Sequence, residues 1–126
     1  MALTNLTIKV DSDVVKTEGA NRYSRDEDTI ASGSGVLQCG AVLGKVTSTG
    51  KLKPLAPGAS DGTQTAVKVL LESVDATSAD VRAVTLARHA EVVLQTLVFA
   101  GGVTAPQQAA ARAALETQGI IARMGV

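Results

Sequence analysis

From Thr29 to Asp75 the chain reads TIASGSGVLQCGAVLGKVTSTGKLKPLAPGASDGTQTAVKVLLESVD, where short Val- and Leu-rich runs are broken by Gly at 33, 35, 40, 44, 50, 58 and 62. Strand-forming runs separated by Gly, Pro, Asn or Asp roughly every ten residues predict a compact antiparallel β domain, with Gly supplying positive φ at its turns. Strands are expected near 36–38, 41–47, 51–55, 66–73, 82–88 and 90–99. Pro54, Pro57, Gly58 and the Asp61-Gly62 pair predict an exposed loop between two sheet segments.

The pattern differs at both ends. Residues 1–28 hold six acidic and four basic residues and no apolar run long enough to be buried by itself, so they are expected to form an extended N-terminal arm ahead of a β-rich domain at 29–126. Within it, Leu6, Ile8 and Val10 alternate with Thr7, Lys9 and Asp11, the period of a strand with one apolar face. Such a strand must pair, either with its own domain as an ordinary first strand or with an edge on another molecule. Near the C-terminus, Thr104 and Gln107 make a capping box, Pro106 suits a first turn, and QQAAARAALETQ is rich in helix formers. This predicts a helix near 105–118, ended by Gly119 and packed largely through Ala, with Ile120 to Arg123 returning as a last short strand. The expected class is therefore mainly β with one C-terminal α-helix.

Composition narrows the function. The 126 residues fit one domain, whose core must be aliphatic because Tyr23 and Phe99 are the only aromatics. Twelve Lys plus Arg balance twelve Asp plus Glu, so no bulk charge recruits nucleic acid or an anionic membrane. A single cysteine, Cys39, excludes an intramolecular disulfide and suits a reducing compartment. No run approaches the roughly twenty apolar residues of a membrane span, and the start lacks the order of a signal peptide, so a protein made and used in a cytosol is expected.

Sites of chemistry are sparse. One His, one Cys and scattered carboxylates lack the spacing of a metal site, and no cofactor is expected. Gly33-Ser34-Gly35 starts like a dinucleotide fingerprint, but Gln38 stands at its third glycine. Gly40 to Lys45 has three residues between its glycines where a phosphate loop needs four, and Val46 replaces the metal-binding hydroxyl. His89 and Glu91 would share a face in a strand and could form an acid/base pair, or simply a surface His beside a carboxylate. Cys39, between Gln38 and Gly40, reads either as a nucleophile or as a small core or loop residue. Asp26, Glu27 and Asp28 beside Arg22 and Arg25 read as a solvated run or a docking element, in which Tyr23 would be the aromatic anchor.

One resemblance spans most of the chain. Tyr23-Ser24-Arg25, IASG from Ile30, AVLGKVT from Ala41, DGTQTAVKVLLESVDAT from Asp61, RHAEV from Arg88, LVF from Leu97 and VTAPQQAAARAALETQGIIAR from Val103 follow the order and spacing of a family motif set. In these the chain resembles the lambda-type bacteriophage head decoration, or capsid cement, proteins. It departs from the family at Phe99, where a larger aromatic such as Trp is expected, and at Arg88-His89, where small or acidic residues are common.

The resemblance implies a small barrel-like or β-tulip domain without enzymatic activity. It implies homotrimers on the outer surface of the expanded head, at three-fold and quasi-three-fold positions, clamping the major capsid protein against the pressure of packaged DNA. The protein would be made in the host cytoplasm and carried on the virion. Leu6, Ile8, Val10, Tyr23, Arg25 and Ile30 are the expected capsid-binding residues of the arm. Two further readings stay open: a β-barrel ligand-binding or carrier domain, with Lys45 or Lys51 as a modifiable side chain, and a small hydrolase using His89.

Overall fold

The computed structural model describes residues 10–20 and 23–124. Strand β2 (Arg25–Ile30) runs antiparallel to β8 (Val81–Leu86) over its whole length, and β8 pairs with β6 (Ala66–Leu70). Next come β4 (Val42–Lys45) and β5 (Leu52–Pro54). Strand β5 returns to β2 in parallel through Ile30 and Leu52, so the five strands close into a ring in the order β2-β5-β4-β6-β8. A two-stranded ribbon, β3 (Gly35–Leu37) with β7 (Val74–Ala76), extends from it. On the other side lies a three-stranded sheet in the order β1 (Val15–Glu18), β9 (Ala90–Val93), β10 (Ile120–Arg123). A single turn, α1 (Asp11–Val14), leads into β1, and the long helix α2 (Ala105–Thr117) precedes β10. The described residues are thus mainly β, with one long C-terminal helix, as the sequence predicts.

Period-two alternation divides the ring strands between two cores. Ile30, Leu43, Leu52, Leu70 and Ala83, one from each ring strand, are buried together inside the ring. Val42, Val69 and Leu86, on the outer face, join Val14, Val92, Ile120 and the α2 residues Ala111 and Leu115 in the larger core, as does Ala66, which a register shift opposite Leu43 and Gly44 takes out of the strict alternation. Each fully buried Leu, Ile or Val is worth about 1.5–3 kcal/mol relative to exposure, so these two clusters dominate the fold. Helix α2 starts where the capping box places it: Thr104 Oγ1 accepts from the Gln107 N–H at 3.4 Å, and Gln107 Oε1 accepts from the Thr104 N–H at 2.9 Å.

Gly44 marks a close approach inside this frame, since a Cβ there would meet the Thr63 Cα and carbonyl oxygen at 2.6 Å. The loop from Leu55 to Thr65 crosses the sheet at that point, and only a residue without a side chain lets it pass.

Several boundaries differ from expectation. The segment 90–99 is strand only to Val93. A 3-10 turn, Leu94–Thr96, follows, and Val98 makes an isolated parallel bridge to Ala41. The expected strand 66–73 ends at Leu70, and β7 appears where none was expected. Of the expected arm, Leu6 and Ile8 lie outside the described residues. Asp11–Val14 is α1, Val15–Glu18 pairs with β9, and Arg25–Asp28 belongs to ring strand β2, so this described part is folded onto the domain.

Candidate functional site

The expected binding residues lead to one end of the ring, where β2 begins. Along β2, Asp26 and Asp28 alternate onto the same face as the buried Ile30 and so point into the ring mouth. Two carboxylates placed there would oppose folding unless paired. Lys68 of β6 supplies the pairing, its Nζ lying 2.6 Å from Asp28 Oδ2 and 3.1 Å from Asp26 Oδ2. Thr85, fully buried on β8, donates its hydroxyl to Asp28 at 2.8 Å, and Arg88 Nη2 reaches Asp26 at 2.8 Å. Burial alone would raise the Asp26 carboxyl, but hydrogen bonds from Arg88 and Lys68 outweigh it and hold it below the usual carboxylate value. The ring is thus apolar in its depth and charge-paired at this mouth.

Outside the mouth sits Tyr23, 54% exposed. Arg88 lies over its ring at 5.5 Å from the centroid and donates Nη1–H to the Tyr23 carbonyl at 2.6 Å. His89 packs its imidazole against the same ring, centroid to centroid 5.3 Å. The neighbouring Ser24 is buried. Its hydroxyl accepts from the Gly19 N–H at 2.7 Å and donates to the His89 carbonyl at 3.0 Å.

Arg25 faces away from the ring interior, toward α1 and β1. Its side chain is 18% exposed, with Nε and Nη2 on the two Glu18 oxygens at 2.8 and 2.7 Å and Nη1 on Asp11 Oδ2 at 2.8 Å. The two hydrogen bonds to Glu18, with the one to Asp11, raise the guanidinium above its ordinary value, and Arg25 in turn lowers the Asp11 carboxyl.

The structure therefore separates the six expected residues. Tyr23 and Val10 are on the surface, Val10 being 49% exposed. Arg25 is engaged within the chain, Ile30 has no exposed surface and is a core residue, and Leu6 and Ile8 lie outside the described residues. His89 and Glu91 do not come together. His89 occupies the turn before β9 with φ 49°, while Glu91 in β9 meets Arg123 of β10 at 3.4 Å. Cys39 is buried in the larger core, and its N–H donates to Ser73 Oγ at 3.3 Å. Lys51 pairs with Asp80 at 2.6 Å, and Lys45 is exposed on β4.

Exposed apolar side chains also occur where sequence reading named none. Val36, on the β3 ribbon, is 72% exposed and forms one wall of a groove completed by Val98, Phe99 and Ala100. Ile121 and Met124 lie exposed along β10 and just after it. Among the described residues no group of three or more His, Cys, Asp or Glu is placed to hold a metal, and no helix is long and apolar enough to cross a membrane. What the site offers is exposed apolar and charge-paired surface around the closed ring. No curated protein matches the chain. A model of the family described as bacteriophage lambda head decoration protein D matches residues 7–120.

Proposed function

This chain belongs to the bacteriophage lambda head decoration protein D family, a structural family of the phage capsid, and from that premise we propose that it cements the expanded head from outside as a homotrimer. The trimers sit at three-fold and quasi-three-fold positions and bind the major capsid protein. Their task is to hold neighbouring capsid subunits together against the pressure of packaged DNA. The protein is made in the host cytoplasm before it joins the virion.

The family match over residues 7–120 is the observation that carries this reading. The physical chemistry agrees with it. Cement acts by buried area repeated over many sites, and modest contacts gain strength when a trimer engages several subunits together. Val10, Tyr23, Val36 and Met124 give the domain apolar surface for such contacts, while two buried clusters keep its shape. The alternation Leu6-Ile8-Val10 suits a strand added to an edge of the major capsid protein, where backbone hydrogen bonds hold the strand and one apolar face sets its register. Tyr23 is the aromatic anchor, and the arm that reaches the capsid is the part of the chain before α1.

The ligand-binding alternative would need space within the ring, which Ile30, Leu43, Leu52 and Leu70 occupy, and of the two lysines a carrier domain would use, Lys51 is paired with Asp80. Saturable binding to expanded, undecorated phage capsids is the experiment that tests the proposal.

A further inference from the structure

One guanidinium ties the N-terminal segment to the ring. The apolar hold on that segment is thin: α1 contributes one fully buried residue, Val14, and β1 contributes none, with only Val15 packed in part against the core. The β1 ladder to β9 is also interrupted by a register shift between Val15 and Thr17. Against this weak anchorage, Arg25 makes three charge-assisted hydrogen bonds of 2.7 to 2.8 Å that span both ends of the segment, Asp11 at its start and Glu18 at its finish. The buried Ser24 hydroxyl adds a fourth tie through Gly19.

We propose that Arg25 is a positioning residue: by clamping Glu18 and Asp11 it fixes α1, and with it the point at which the chain before Val10 is attached. The clamp rests on the reading that this part of the chain binds the capsid. Because its guanidinium is turned inward and mostly buried, Arg25 acts through the arm and not by touching the partner. A fixed attachment point lowers the entropy lost when a strand is added to the capsid, which is the usual gain from preorganisation.

A double-mutant cycle in the full-length chain separates this role from a general structural one. Capsid affinity is measured for the unaltered protein, for Arg25→Ala, for the arm variant carrying Leu6→Asp and Ile8→Asp, and for the combination, with Glu18→Gln as a milder break of the same clamp. Arg25→Ala is expected to weaken capsid binding about tenfold, the scale of having to order roughly one further residue's backbone on binding. In the arm-variant background it should have no further effect, and Glu18→Gln should follow the same pattern with a smaller loss. Backbone amide exchange at Val15 to Glu18 should rise in Arg25→Ala and Glu18→Gln while the ring strands keep their protection. Equal losses in both backgrounds, no loss in the full chain, or unchanged exchange at Val15 to Glu18 would each overturn the positioning role. If the arm variant itself binds as tightly as the unaltered protein, the capsid-binding arm is refuted first, and the positioning role falls with it.

Discussion

His89 and Gly119 pack backbone against backbone, each in the left-handed region, at φ 49° and 81°. A Cβ on Gly119 would lie 2.9 Å from His89 Cδ2 and 3.1 Å from its backbone nitrogen. The Ala90 N–H donates to the Gly119 carbonyl at 3.0 Å, so the turn before β9 and the turn between α2 and β10 are joined at this point. The junction aligns β9 and β10 in parallel and holds the imidazole against Tyr23.

Left-handed backbone at a residue with a side chain carries a cost of about 1 kcal/mol that glycine avoids. His89→Gly and His89→Ala both lose the contact with Tyr23, but only the glycine relieves the backbone. Urea denaturation should therefore find His89→Gly more stable than His89→Ala by about 1 kcal/mol. The reverse order would mean that the turn is not left-handed at His89.

Gly44 and Gly58 provide a matched pair. Alanine at Gly44 would press on the Thr63 backbone, which cannot give way as a side-chain tip could, whereas a Cβ at Gly58 meets nothing within 4 Å. Gly44→Ala should lose about 1–3 kcal/mol, the usual range for overpacking. Gly58→Ala should stay within about 0.5 kcal/mol of the unaltered protein, as exposed substitutions usually do. Thermal or chemical unfolding of the two variants side by side checks both.

Acid should weaken the ring mouth in a defined direction. The Asp26 carboxyl is pushed up by burial but held lower by Arg88 and Lys68, with a net pKa below the usual value, and Asp11 is lowered chiefly by its hydrogen bond from Arg25. For such depressed groups the unfolded chain binds protons first, so their stabilisation is complete above the unfolded value of about 4 and is lost as pH falls through the folded one. Urea midpoints should decline below about pH 4, and Asp26→Asn should decline less steeply over the same range. Parallel curves for the two proteins would show that Asp26 does not couple folding to protons.

Much of the ring could be read in the sequence because β4, β5, β6 and β8 carry Val and Leu bounded by turn residues, and α2 carries its own capping signals. Strand β2 could not. Its sequence, RDEDTI, reads as a solvated charge run because the cations that permit Asp26 and Asp28 to face inward, Lys68 and Arg88, lie forty or more residues away along the chain. Local pattern sees the carboxylates and not their partners. The same limit hid Arg25's engagement, since Glu18 and Asp11 become its neighbours only once α1 and β1 fold back onto β2. It also made Ile30 look like a capsid-binding residue, when its side chain is the β2 contribution to the inner core. Tyr23 stands out in the sequence because aromatics are so rare in this chain, and the structure leaves it on the surface.

The central claim is tested most directly by titrating the purified protein onto expanded, undecorated phage capsids, measuring co-sedimentation and the temperature at which the capsids break open. Saturable binding at a fixed ratio to the major capsid protein, in multiples of three copies per site, with a raised breakage temperature, is the predicted result. Binding that never saturates, or capsids that break at the same temperature with and without the protein, would contradict it.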